Sequence, residues 1–95
     1  MSDFDRGMQA LRRRFAASLG DHADTLEKLR ADGAWGDMLS IAHGLAGRSG
    51  MFGYEVVGMA ARDLEERIEA GAAEATLEDL LDRLVLALRT GAQER

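Results

Sequence analysis

The chain has 95 residues, of which 46% are apolar and 31% are charged, and its formal net charge at pH 7 is −5. This length suits one domain with a single core, so we expect residues 1–95 to form one domain. The negative charge offers no basic footprint for nucleic acid, which argues against nucleic-acid binding. The absence of cysteine excludes a disulfide framework and a thiolate metal site.

The apolar residues are too scattered for a membrane protein. No apolar run approaches the roughly 20 residues that span a bilayer, and the first residues are acidic rather than typical of a basic secretory signal. We therefore expect a cytoplasmic protein without membrane contact. There is no proline, and the chain is rich in alanine, leucine, glutamate and arginine, which together predict an all-α fold.

The first third of the chain predicts two helices. Ser2 followed by Asp5 is typical of a helix start. Apolar residues then recur at helical spacing: Phe4, Met8, Leu11, Phe15 and Leu19. Gly20 followed by Asp21 predicts a stop and a new N-cap, and the second helix is expected to end near Gly33.

Two polar features of this region have ordinary interpretations. The arginines at 12–14 predict a solvated helix face, with a docking patch or an anion-attracting rim as the alternative. His22 is expected to be exposed, since no partner residue stands at metal-ligand spacing from it.

The remainder predicts three more helices, over residues 34–51, 54–70 and 76–91. Gly53 separates the first two, Gly71 is a candidate C-cap, and Thr76 with Asp79 forms a candidate capping box. Short connections favour antiparallel neighbours. The prediction is an antiparallel up-down four-helix bundle with the additional N-terminal helix packed across one end.

His43 stands out on the helix predicted for residues 34–51. At about 100° per residue, the residues within about 60° of His43 are small apart from one leucine. They are Gly36, Leu39, Ser40, Ala46, Gly47 and Gly50. Glycine costs roughly 1 kcal/mol inside a helix relative to alanine, so this face breaks a local rule, as functional sites often do. Small residues beside the imidazole let another protein approach it closely.

A helical hairpin turning at Gly53 predicts a partner for His43. Residues equally distant from the turn lie side by side, and Glu65 is twelve residues after Gly53 while His43 is ten before it. Neutral imidazole is a good nucleophile at physiological pH, provided that one nitrogen carries the proton and has an acceptor. Glu65 is the candidate acceptor.

The segment of residues 39–65 resembles the histidine phosphotransfer (HPt) domain. The family motif is matched by His43, Leu45, Gly47, Gly53, Val57 in the place of a leucine, Leu64 and Glu65. The glycines at 47, 50 and 53 with Phe52 make the segment most similar to the phosphotransfer domains of chemotaxis kinases. The resemblance implies that His43 is phosphorylated and that Glu65 orients its imidazole.

The family's lysine, three residues after the histidine, is Ala46 in this chain. Phosphoryl oxygens favour a nearby cation. Arg62, one turn before Glu65, is the candidate phosphoryl contact, and the alternative is a surface ion pair with Glu65 or Glu66. Arg48 is a poor substitute because it lies about 140° around the helix from His43.

The resemblance implies a phosphocarrier that passes a phosphoryl group between a sensor histidine kinase or receiver domain and the aspartate of a response-regulator receiver. Partner docking is expected at Leu39, Ser40, Ala46, Gly47 and Gly50. No Walker-type loop is present, so we expect no ATP site, cofactor or metal of its own, with Mg²⁺ on the receiver. A monomer is expected. The alternative is a helical adaptor of the same fold that binds a receiver or kinase without phosphotransfer.

Overall fold

The computed structural model describes residues 2–94, which form four α-helices and no strand. Helix α1 spans Asp3–Ala31, α2 spans Trp35–Ser49, α3 spans Glu55–Glu69 and α4 spans Glu74–Gln93. The predicted all-α class is therefore confirmed. No helix in the described range is long and apolar enough to cross a membrane.

The first two predicted helices are one continuous helix, so the prediction of a separate N-terminal helix packed across one end was wrong. Gly20 lies inside α1 and lacks the positive φ that a glycine C-cap uses. The buried face runs on across it, through Phe15, Leu19, Ala23 and Leu26. Burial of these side chains offsets the roughly 1 kcal/mol that a mid-helix glycine costs. The predicted start at Ser2 is confirmed, since its Oγ accepts a hydrogen bond from the Asp5 backbone N–H at 3.1 Å.

The predicted turns are at the expected places. Gly33, Gly53 and Gly71 have φ values of 64°, 86° and 70°, the left-handed region that favours glycine. Helix α4 begins one turn earlier than the capping box suggests. The backbone N–H groups of Thr76 and Leu77 already bond to the Ala73 carbonyl, so Thr76 is inside the helix.

All four helices contribute to one core, and the contacts fix their directions. Asp24 pairs with Arg89, while Arg30, later in α1, pairs with Asp82, earlier in α4. Helices α1 and α4 therefore run in opposite directions. The buried apolar side chains between the helices are Phe15, Leu19, Ala23, Leu26, Met38, Ala42, Leu45, Phe52, Val57, Ala61, Leu64, Leu77, Leu81, Leu84 and Leu88.

Helix α1 is longer than its neighbours. Its 29 residues make about 43 Å of helix against about 22 Å for the 15 residues of α2. Near the end of α4, a Cβ on Gly91 would lie 3.0 Å from a methyl of Leu19. The N-terminal end of α1 therefore extends past the ends of α2 and α4, which contributes to the 48 Å longest dimension.

Candidate functional site

His43 projects from the middle of α2 into solvent, with 78% of its side chain exposed. The opposite face of α2 is anchored in the core by Met38, Ala42 and Leu45, all fully buried. Since these residues recur at helical spacing, they fix the rotation of the helix and turn His43 outward. The exposure inferred from the sequence is confirmed.

Glu65 on α3 is the hydrogen-bond partner of His43. The contact joins the Glu65 Oε2 to the His43 Nδ1. Glu65 is only 17% exposed, and the neighbouring Leu64 is fully buried and fixes this part of α3 against the core. An ionised carboxylate only accepts hydrogen bonds, so a neutral imidazole that bonds to Glu65 donates from Nδ1 and keeps Nε2 unprotonated. The contact between His43 and Glu65 that the sequence predicted is therefore present in the structure.

The surface beside the imidazole is built from small groups. Ser40, Gly47 and Gly50 are exposed, while Leu39 and Ala46 are half-buried. A Cβ added to Gly47 or Gly50 would meet no atom of the chain within 4 Å. The chain's own packing therefore does not require glycine at either position.

Gly58 marks a place where α2 packs closely on α3, which the sequence did not predict. A Cβ on Gly58 would lie 3.4 Å from the Ser49 Cβ and 3.7 Å from the backbone nitrogen of Gly50. An alanine would make ordinary van der Waals contact there, so the two helices are about as close as an alanine would allow. The signal in the sequence is the pairing of small residues on the two facing helices, since Gly50 and Ala46 also lie there.

Arg62 is exposed on α3, one turn before Glu65. It lines a shallow depression of about 210 Å³ together with Ala46, Gly50, Glu55, Gly58 and Met59. Within residues 2–94 Arg62 forms no ion pair, so the surface pair with Glu65 or Glu66 is not observed. Ala46, the position at which HPt domains carry a lysine, therefore borders the exposed Arg62 of α3.

Arg48 belongs to a different edge of α2. Its guanidinium packs over Gly44, where an added Cβ would lie 3.4 Å from an Nη atom. It also lines a groove between α1 and α2 with His22. His22 is half-buried rather than exposed as expected, and burial, followed by the positive charge of Arg48, lowers its pKa below 6.5 against the opposing effect of Asp21.

No group of three or more metal-binding side chains occurs within the described part of the chain. The sequence matches the family model described as Hpt domain over residues 10–91. Comparison with curated proteins and comparison with solved structures each gave no significant match. The family match spans both helices that carry the His43–Glu65 pair.

Proposed function

Since the chain belongs to the Hpt domain family, whose members are phosphocarriers of phosphorelays, we propose that His43 is the residue that carries the phosphoryl group. The observation that carries this proposal is the hydrogen bond from His43 Nδ1 to Glu65, which leaves Nε2 free on an exposed side chain. A nitrogen with an available lone pair and open access is what an in-line attack on phosphorus needs.

The proposed reaction exchanges one bond to phosphorus for another. The Nε2 lone pair attacks the phosphorus of a phosphorylated receiver, the N–P bond forms, and the bond from phosphorus to the aspartate oxygen breaks. The proton on Nδ1 stays in its hydrogen bond to Glu65, whose negative charge stabilises the positive charge that develops on the ring. Transfer onward to a second receiver aspartate is the same exchange in reverse.

Arg62 is the proposed replacement for the missing lysine. Ala46 provides no cation, but Arg62 borders the same depression from the facing helix. An arginine without a competing ion pair in the described range is free to donate to phosphoryl oxygens. The cation thus comes from α3 rather than from α2.

The small surface around His43 is the proposed docking site for the receiver, at Leu39, Ser40, Ala46, Gly47 and Gly50. A receiver presents its aspartate from a concave acidic site, and only a low surface lets that aspartate reach Nε2. The unfilled space above Gly47 and Gly50 supports this role.

The proposal extends to the partners and the setting of the protein. The donors and acceptors are a sensor histidine kinase and response-regulator receivers, in the cytoplasm, with Mg²⁺ held by the carboxylates of the receiver rather than by this chain. We assign residues 1–95 to one phosphotransfer domain, because helices from both ends of the chain share one core. The site is complete within one chain, so a monomer suffices for transfer.

The direct experiment uses a receiver domain phosphorylated with labelled phosphate. Label should move to the chain as an acid-labile, base-stable adduct and should be absent in His43→Gln. A chain that binds the receiver tightly but never takes label would contradict the proposal and would fit the non-catalytic adaptor.

A further inference from the structure

The N-terminal part of α1 carries an apolar strip that the other helices cover only in part. The strip consists of Phe4, Met8 and Leu11. Phe4 is 74% exposed, Leu11 is 46% exposed, and Met8 is half-buried against the core. With Phe15 they follow a 4, 3, 4 spacing, which is the heptad spacing of helices that pack against another helix. Nothing within residues 2–94 covers Phe4.

The strip leads into the groove between α1 and α2. The groove has a volume of about 390 Å³ and an apolar floor made by Leu11, Phe15 and Phe52. On α1, the strip and the groove residues Phe15 and Ser18 lie within an arc of about 80°, so strip and groove form one continuous face. Its rim is basic, since Arg14 and Arg48 line it with the half-buried His22.

Charge along the same helix is divided. The first turn carries Asp3 and Asp5, of which Asp3 pairs with Arg6 of the same copy at 3.7 Å, and the arginines at 12–14 follow two turns later. Asp5 and Arg12 lie on the same side of α1 but are seven residues apart, about 10 Å along the helix, and do not pair within one copy. An antiparallel second helix would place each acidic turn beside the arginines of its neighbour.

We propose that this face binds the same face of a second copy of the chain, with the two α1 helices antiparallel about a two-fold axis. The heptad spacing sets the alignment: Phe4 of each copy lies opposite Phe15 of the other, and Met8 lies opposite Leu11. Asp5 and Arg12 lie on the same flank of the strip, about 20° apart around the helix, so Asp5 of each copy lies beside Arg12 of the other. Phe4 then fills the mouth of the other copy's groove. Such an interface is isologous and closes after two copies.

The interface is small, so the association is weak and reversible. Two apolar aromatic anchors with leucine and methionine between them bury less surface than a standard stable interface. The groove lies on the α1 side of α2, whereas His43 is about 140° away from Arg48 around that helix. Phosphotransfer at His43 is therefore independent of this association, and failure of either proposal leaves the other intact.

Sedimentation equilibrium of the full chain across about 1 μM to about 1 mM tests the proposal. The mass should rise with concentration from 10.3 kDa toward twice that value. Phe4→Ala and Leu11→Ala should each raise the dimer dissociation constant about tenfold or more, with circular dichroism showing unchanged helix content. Leu86→Ala is the matched control, because it makes the same substitution as Leu11→Ala at an exposed leucine on another helix. Leu86 is on α4 and is 68% exposed.

A constant mass of 10.3 kDa up to about 1 mM would overturn the proposal. So would an equal weakening by Leu86→Ala, since association would then use another surface.

A charge exchange tests the antiparallel alignment. Asp5→Arg should weaken association, because it places two cations side by side across the two-fold axis. The double variant Asp5→Arg/Arg12→Asp should restore the wild-type dissociation constant within about threefold, since the exchanged charges pair again. A double variant that associates as poorly as the two single variants combined would show that these residues do not meet, and would overturn the alignment.

Discussion

Glu65 on α3 accepts a hydrogen bond from the Nδ1 of His43 on α2. The carboxylate is largely buried while the imidazole is largely exposed. The Nδ1 side of the ring is thus held by Glu65, and the Nε2 side is on the exposed part of the imidazole. We propose that this hydrogen bond determines which ring nitrogen is available for phosphoryl transfer.

The first prediction concerns that hydrogen bond. Glu65→Ala removes the acceptor, so both neutral tautomers of His43 become populated and fewer molecules present an unprotonated Nε2. We expect phosphoryl uptake from a receiver to fall about tenfold or more. Nitrogen NMR of the imidazole should show one tautomer in the wild type and a mixture in the variant. A single unchanged tautomer in Glu65→Ala would contradict the positioning role.

The second prediction concerns the low surface beside the histidine. Gly47→Gln should raise the free energy of unfolding by about 0.5 kcal/mol, because glutamine favours helix and meets no atom of the chain. It should slow transfer from a receiver about tenfold or more, since the longer side chain holds the reacting atoms apart.

Small phosphodonors need no protein-sized approach and should phosphorylate the Gly47→Gln variant at close to the wild-type rate. The matched control is Gly20→Gln, at another mid-helix glycine with free space around it, on α1 rather than on the helices that carry His43 and Glu65. It should leave transfer unchanged. Equal loss with receiver and small donor alike would place the damage at the histidine itself.

The third prediction concerns Ser49, whose hydroxyl is fully buried between α2 and α3 without a hydrogen-bond partner in the described range. An unsatisfied buried hydroxyl is unfavourable, so Ser49→Ala should raise the free energy of unfolding by about 1 kcal/mol. Ser18→Ala is the control, because the Ser18 hydroxyl donates to the Phe15 carbonyl at 2.7 Å. Its substitution should change stability by no more than about 0.5 kcal/mol. Urea unfolding measures both, and a loss of stability in Ser49→Ala would mean that the hydroxyl has a partner.

The fourth prediction concerns pH. Burial and the charge of Arg48 lower the pKa of His22 below its ordinary 6.5, and Asp21 offsets part of this effect. The unfolded chain therefore binds a proton at His22 more readily than the folded chain, and stability falls as pH decreases through and below 6.5 toward the folded pKa. His22→Gln should show a smaller loss of urea-unfolding free energy between about pH 7.5 and about pH 5. If the unfolding free energies of the wild type and His22→Gln changed equally with pH, the attribution of this pH dependence to His22 would be wrong.

The sequence predicted the helical class, the turns at the three glycines and the His43–Glu65 pair, because each depends on local periodicity or on distance from a turn. It did not predict the continuity of α1. Gly20 followed by Asp21 has the local pattern of a helix end and a new helix start. The apolar residues before and after them pack against α2 and α4, however, and local sequence does not show such tertiary contacts. The position of Arg62 beside Ala46 likewise depends on the close approach at Gly58, which only the packed helices reveal.

The most direct test of the central claim is to locate the phosphoryl group by NMR on the chain after phosphorylation by a small phosphodonor. The account predicts a single adduct on the Nε2 of His43, with Nδ1 still protonated beside Glu65. An adduct on Nδ1 of His43, an adduct on His22, or no histidine adduct at all would contradict it.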